Sequence, residues 1–367
     1  MKVALVHDWL VTYRGGEKVL EQLAGMFPTA PIYTLFYDPR KLPPSLTQRE
    51  IIFPKNLNRF VGFRKEFLLA FYPTIIESFD LTAYDLIISS SSCVAKGVIV
   101  GPHAKHLCYM HAPMRYIWDQ QKFYFSTYGK IPGLSFIANL LATHLRMWDV
   151  TSSNRVDRFV ANSHFVAQRI ARYYRRDSVV IAPPVELPTQ PPQWKKKDYY
   201  LIAGAWVPYK RLELAVEACK KMDKNLIVAG FGSQEKKLRA AAGPRTQFIQ
   251  APDDATLGRL LGEARALLFP GIEDFGILPI EAMAQGTPVI AMAKGGALDY
   301  VTSRKTGVFF EEQTVESLQN AIRVFESLQF DPQVLYLASQ QFGSDIFVHR
   351  IKKEIETLLA RDTHAFS

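Results

Sequence analysis

Short apolar runs alternate with longer amphipathic ones along the chain. In the first half the apolar runs are VALVH (3–7), PIYTLF (31–36), DLIISSS (85–91), HLCYMH (106–111) and RFVANS (158–163). Helical patterning follows Gly16, recurs near 65–79 and near 135–149, and follows His164. In the second half the runs are YYLIAGA (199–205), NLIVAGF (225–231), QFIQ (247–250), ALLFP (266–270), PVIAM (288–292) and GVFF (307–310), with helices expected at 314–327, 331–342 and 344–360. Buried parallel strands read as continuous apolar runs, and alternation with helices predicts an α/β architecture of doubly wound sheets. Between the halves, PPVELPTQPP at 183–192 holds five prolines, too stiff and donor-poor to join a sheet. A domain boundary is expected there, giving domains at 1–185 and 186–343 and a terminal segment at 344–367. No repeat of solenoid period and no low-complexity tract is visible.

The most informative stretch is EDFGILPIE at 273–281, between the apolar run 266–270 and a helix expected from Ile277 to Gln285 with Pro279 in its first turn. Glu273 then stands on the strand-to-helix loop and Glu281 about one turn inside the helix. The N–H groups of Phe275, Gly276, Ile277 and Leu278 are expected to point out of a helix N-terminus, where unpaired donors and the helix dipole favour a diphosphate. One carboxylate can then take sugar hydroxyls and the other ribose hydroxyls. By themselves, the two glutamates are equally compatible with an ordinary loop and an ordinary helix cap.

Other candidates sit at strand ends. Arg14-Gly15-Gly16-Glu17 follows the first strand, and adjacent glycines let a ligand approach helix N–H groups, although a plain tight turn with Glu17 capping its own helix fits as well. The spacing is not that of a dinucleotide fingerprint. His111 ends its strand, where open α/β sheets bind ligands, and is either a ligand contact or a structural histidine. Lys210 and Arg211 precede the run LELAVEACKKM; cations there oppose the helix dipole, and an anionic ligand is one reason for them. Asp253 and Asp254 either cap a helix or read the edge of a guanine base.

These blocks resemble family 4 glycosyltransferases, retaining enzymes of the GT-B fold with two Rossmann-like domains facing a central cleft. EDFGILPIE resembles the family's E-x7-E motif. HDWLVTYRGGEKVLEQL (7–23), SSSSCVAKG (89–97), YMHAPMRYIWD (109–119), VANSHFVAQRI (160–170), VPYKRLELAVEA (207–218) and VAGFGSQEKKL (228–238) follow in the family's order. The likeness is greatest to bacterial enzymes of O-antigen and exopolysaccharide synthesis, many of them mannosyltransferases. It implies transfer of a hexosyl group from UDP-glucose or GDP-mannose to a glycan acceptor, lipid-linked in that pathway. In that reading Glu273 orients the sugar, His111 contacts it, Lys210 holds phosphate, Glu281 anchors ribose, Gly15 and Gly16 face the donor, and Asp253 belongs to the base-binding loop. Arg115 and Trp118 would shape the acceptor cleft, with Asp119 beside them. The last helix would cross back to the first domain. Many relatives carry an arginine where this chain has Ala205, which removes one expected cation. No D-x-D element is present, so neither a metal nor another cofactor is expected. Alternatives sharing the architecture are a nucleotide-sugar epimerase, a glycan phosphorylase, for which no pyridoxal-phosphate lysine is identifiable, and a non-enzymatic nucleotide-sugar-binding partner.

Composition adds three points. The chain of 367 residues is 48% hydrophobic and 22% charged, which suits two folded domains with real cores. Cys93, Cys108 and Cys219 have neither metal spacing nor an even count, so buried thiols in a reducing compartment are expected. The chain starts directly in a strand pattern without a signal peptide, and no apolar run is long enough to span a bilayer, so a cytoplasmic location is expected, free or peripheral at the inner membrane face.

The formal charge of +9 lies wholly in residues 1–185, which hold 22 Lys and Arg against 13 Asp and Glu. No nucleic-acid motif accompanies it. Lys55, Arg59, Arg64 and Lys65 are interleaved with Leu57, Phe60, Val61 and Phe63, which reads either as a patch for an anionic membrane surface or as a solvated loop before a core helix. The run KKKD at 195–198 reads as solvated charge.

Overall fold

The computed structural model describes residues 1–58, 69–119, 134–191 and 193–360. Most of the proposed membrane patch, from Arg59 onward, lies outside the described residues. Two compact units form: Met1–Pro184 with the C-terminal segment from Phe347, and Val185–Ile346.

In the first unit the strands are β1 (Val3–His7), β2 (Ile32–Thr34), β3 (Ile51–Ile52), β4 (Leu86–Ser91), β5 (Lys105–Met110), β6 (Arg158–Ala161) and β7 (Ser178–Val180). They pair in parallel in the order β3-β2-β1-β4-β5-β6-β7. The order reverses between β1 and β4, which makes their carboxyl ends the switch point of the sheet. The edge strands β3 and β7 escape the sequence reading because two or three residues carry no periodicity.

The second unit pairs β8 (Tyr200–Ala205), β9 (Leu226–Phe231), β10 (Thr246–Gln250), β11 (Ala266–Phe269), β12 (Val289–Met292) and β13 (Gly307–Phe310) in the order β10-β9-β8-β11-β12-β13, all parallel. Each strand lies within a residue or so of its expected place. Each sheet with its flanking helices is a Rossmann-like domain, as the alternating pattern predicts.

The helix Ser344–Ala360 buries Phe347, Ile351, Ile355 and Leu358. This stripe at helical spacing packs in the first unit's core with Leu5, Leu23, Leu86, Tyr109 and Val160. The Arg158 to Glu354 ion pair at 2.8 Å lies beside it. The three cysteines are buried free thiols, and burial pushes Cys108 and Cys219 up to about 12.

Candidate functional site

In the second unit, the site is built on the ends of β8 and β11. The chain leaves β8 through the single turn Pro208–Lys210 before the helix Leu212–Lys221. Lys210 Nζ pairs with Glu273 Oε1 at 2.9 Å, both side chains being mostly buried. The ammonium passes over Gly204, where a Cβ would stand 3.2 Å from Nζ. Ala205 is the next residue, so the small pair at the end of β8 leaves the space above it to Lys210. Arg211 has left-handed backbone, φ 51°, and its Nε donates to Glu213 at 2.7 Å in its own helix. Lys210 and Glu273 are therefore brought together, while Arg211 is engaged elsewhere.

The Glu273 loop is held from behind. A second glycine pair, Gly295-Gly296, opens a single turn after β12, and a Cβ at Gly296 would fall 2.4 Å from Phe275 O. Gly296 N–H donates to Glu273 O at 2.9 Å, and Tyr300 OH donates to Phe275 O at 2.9 Å. The Phe275 ring is buried between Tyr300 and Phe342. Gly276 has φ 87°, which a side chain would strain. The helix runs Leu278–Ala284 with both Pro279 and half-buried Glu281 in its first turn. Among the described residues, the N–H groups of Phe275, Gly276, Ile277 and Leu278 donate to no protein acceptor. Four donors thus stand together on the loop that presents Glu273.

Asp253 is not part of this cluster. It is the N-cap of the helix Asp254–Glu263, its Oδ1 accepting from Thr256 N at 2.8 Å. Hydrogen bonds from Thr256 hold its carboxyl below the usual carboxylate range.

In the first unit, parallel register sets His7 opposite Ser90. His7 Nδ1 lies 3.1 Å from Ser90 Oγ, and the same oxygen lies 2.8 Å from His111 Nε2. The His111 backbone is fixed on both sides: its N–H donates to Ser91 O at 2.8 Å and its carbonyl accepts from Asn162 Nδ2 at 3.0 Å. Burial around the ring, with His7 adding to it, pushes the His111 pKa down to about 3, so the imidazole is neutral near pH 7. Gly15 and Gly16 open the helix Gly15–Met26, whose cap is Glu17 Oε2 accepting from Arg14 N at 2.9 Å. A Cβ on Gly16 would stand at an ordinary 3.7 Å from His111 Nε2 and His7 Cε1, so packing does not require glycine there.

Asp8 holds this corner. Its buried carboxylate accepts from the N–H groups of Ser92, Cys93, Val94 and Ala95 and from the Ser92 hydroxyl. The turn after β4 is thereby tied to the end of β1. Next to it, Lys96 and Asp149 form a fully buried ion pair at 3.0 Å. Lys96 also donates to Asp149 O and Ser152 Oγ, and Asp149 Oδ2 accepts from Trp118 Nε1 and Tyr174 OH. Trp118, expected in the acceptor cleft, is bonded into this network and stacked on Tyr173 at 4.4 Å. Asp119 is held by Tyr173 and Arg169.

The sequence reading missed His7, Ser90, Asp8 and the Lys96–Asp149 pair. Strand-terminal position was the available signal for His7, as it was for His111. The charge run 195–198 is exposed throughout, as expected, with the Lys196 ammonium anchored by Gly262 O and Thr287 Oγ1.

Two doubly wound parallel-sheet units in one chain are the architecture of the GT-B class of glycosyltransferases. The model described as "Glycosyltransferase Family 4" matches residues 13–187, and that of "Glycosyl transferases group 1" matches residues 186–340. The chain belongs to this glycosyltransferase family. It is 28% identical over 189 residues to the O-antigen chain mannosyltransferase RfbU of Salmonella typhimurium, covering 48% of this chain and 53% of that one. It is 33% identical over 107 residues to the alpha-1,3/1,6-mannosyltransferase ALG2 of Rhizomucor pusillus, covering 27% and 23%. These alignments thus span about half or less of the relatives' own lengths. Among solved structures, the lipopolysaccharide outer core galactosyltransferase WaaB superposes with a TM-score of 0.68 at 15% identity, over 97% of this chain and 99% of that one. Anabaena HepE in complex with UDP has the same score at 16% identity, over 97% and 100%. At such identities the likeness is one of fold.

Proposed function

We propose that this glycosyltransferase moves a hexosyl group from a nucleoside diphosphate sugar to a glycan acceptor with retention of anomeric configuration. The observation that carries this reading is the Lys210–Glu273 pair beside four N–H donors with no protein acceptor among the described residues. A cation and unpaired donors suit the leaving diphosphate, where negative charge develops in the transition state. Glu273 orients the hexose through its hydroxyls, and Glu281 takes the ribose hydroxyls. In the first unit, neutral His111 can hydrogen-bond sugar hydroxyls without adding charge. The bond from the anomeric carbon to the diphosphate breaks, the acceptor oxygen bonds that carbon on the same face, and the acceptor proton passes to a leaving phosphate oxygen. No carboxylate pair at glycosidase spacing is needed. Neither a metal nor another cofactor takes part in this reading.

The acceptor in this reading is lipid-linked and met at an anionic membrane surface. The +9 charge of residues 1–185 supports it. So does the helix Leu134–Ser152, which exposes Phe136, Leu140, Leu141 and Met147. No described helix is long and apolar enough to cross a membrane.

A thermal-shift screen of UDP, GDP and their sugars tests the donor class, because a ligand at a hundred times its Kd stabilises by about 2.7 kcal/mol. UDP-glucose and GDP-mannose come first. Incubation with the labelled sugar that binds should then yield glycosylated acceptor or free sugar. Interconversion of free donors would mark an epimerase, and binding without turnover a non-enzymatic partner.

A further inference from the structure

We propose that Ser90 is a positioning residue that locks His7 and His111 into one shared tautomer, so that their two open nitrogens always offer one hydrogen-bond donor and one acceptor. The geometry is a chain of three groups: His7 Nδ1 at 3.1 Å and His111 Nε2 at 2.8 Å from a single serine oxygen. Ser90 and His7 are buried, and the His111 backbone is held on both sides by Ser91 O and Asn162 Nδ2.

A hydroxyl has one proton. If Ser90 donates to His111 Nε2, the His111 proton sits on Nδ1, and His7 satisfies the serine lone pair by donating from Nδ1. His111 Nδ1 is then an open donor and His7 Nε2 an open acceptor. If Ser90 donates to His7 Nδ1 instead, both rings carry their protons on Nε2 and the open nitrogens exchange character. In either arrangement both rings hold the same tautomer, because the serine meets Nδ1 of one and Nε2 of the other. Opposite tautomers would leave either two lone pairs competing for one proton or two N–H groups on the oxygen with the serine proton unplaced, a costly outcome in a buried site.

Among the described residues no protein group bonds His111 Nδ1 or His7 Nε2. Gly16 adds no side chain over the two rings, and the His7 and His111 ring centres lie 6.5 Å apart, edge to face. A complementary donor and acceptor suits a ligand rich in hydroxyls, each of which both donates and accepts. This use of the pair rests on the reading of His111 as a sugar contact; the tautomer coupling itself does not.

The experiment is long-range ¹H–¹⁵N correlation spectroscopy of the full chain labelled at histidine nitrogens, at about pH 8, above the ordinary histidine pKa of about 6.5. Substitutions His7→Gln and His111→Gln assign the two rings. Both rings protonated on Nδ1, or both on Nε2, is the expected result; one of each overturns the proposal, and the wild-type spectrum alone decides this. In Ser90→Ala the shared state should break, with at least one ring moving to a tautomer mixture, and Ser90→Thr should restore it. Unchanged rings in Ser90→Ala would also overturn it. A separate readout addresses the sugar: Ser90→Ala should lower kcat/KM for the nucleotide sugar by about tenfold, with affinity for the free nucleotide unchanged. Coupled rings with unaltered transfer would retain the coupling and remove His111 from the sugar site.

Discussion

Lys210 and Glu273 form a closed ion pair, 2.9 Å from Nζ to Oε1, in which the proposed phosphate cation and the proposed sugar carboxylate neutralise each other. A ligand carrying both phosphate and hydroxyls can replace the contact on each side. Separating the two requirements by mutation tests the assignment.

Glu281→Ala should weaken binding of the free nucleotide, because its proposed partner is ribose. Glu273→Ala should mainly lower kcat while leaving affinity for UDP or GDP nearly intact. Calorimetry with the free nucleotide checks both, and an equal loss of affinity in the two variants would reverse the roles.

Activity should persist in EDTA, since Lys210 and the N–H groups of Phe275–Leu278 neutralise the leaving diphosphate in this mechanism. Loss of transfer in chelator with recovery on adding Mg²⁺ or Mn²⁺ would show that the charge balance needs a metal.

Lys96→Met should cost about 3–5 kcal/mol, because it strands the fully buried Asp149 carboxylate without its cation. The double variant Lys96→Met, Asp149→Asn should recover part of that loss. Denaturant unfolding of the first unit's core, followed by tryptophan fluorescence, measures it; additive losses would show that the two residues act independently.

Acid should destabilise the first unit before carboxylates titrate fully. His106 is fully buried, and its pKa is lowered to about 4, chiefly by burial; His111 lies at about 3. Between these values and about 6.5 the unfolded chain binds protons that the folded chain does not, so stability is intact above about pH 6.5 and falls as pH drops toward 4. The melting temperature should decline from pH 7 to pH 4.5, and less steeply in His106→Gln. A slope identical to wild type would remove His106 as a cause.

Anionic vesicles should float the protein and neutral vesicles should not, since each basic residue near an anionic leaflet contributes about 1 kcal/mol, screened by salt. Replacing Lys55, Arg59, Arg64 and Lys65 by Gln should abolish flotation at moderate salt. If wild type stays in solution with anionic vesicles, a soluble acceptor is the better reading.

Features set by neighbouring residues were legible before any fold was known. Continuous apolar runs mark the interior parallel strands, and spacing alone put Glu273, Pro279 and Glu281 on one strand–loop–helix unit. The edge strands at 51–52 and 178–180 were not legible, because so few residues show no period. Contacts between residues far apart in the chain depend on the folded arrangement. His7 and Ser90 meet because β1 pairs with β4 across 83 residues of chain, and Lys96 finds Asp149 because the turn after β4 packs on the helix Leu134–Ser152. The Gly295-Gly296 pair has no local signal of its role, which comes from the packing of its turn against the Glu273 loop. Sheet order and register bring such groups together, and these are set by the packing of whole elements, which no local pattern of hydrophobic residues encodes.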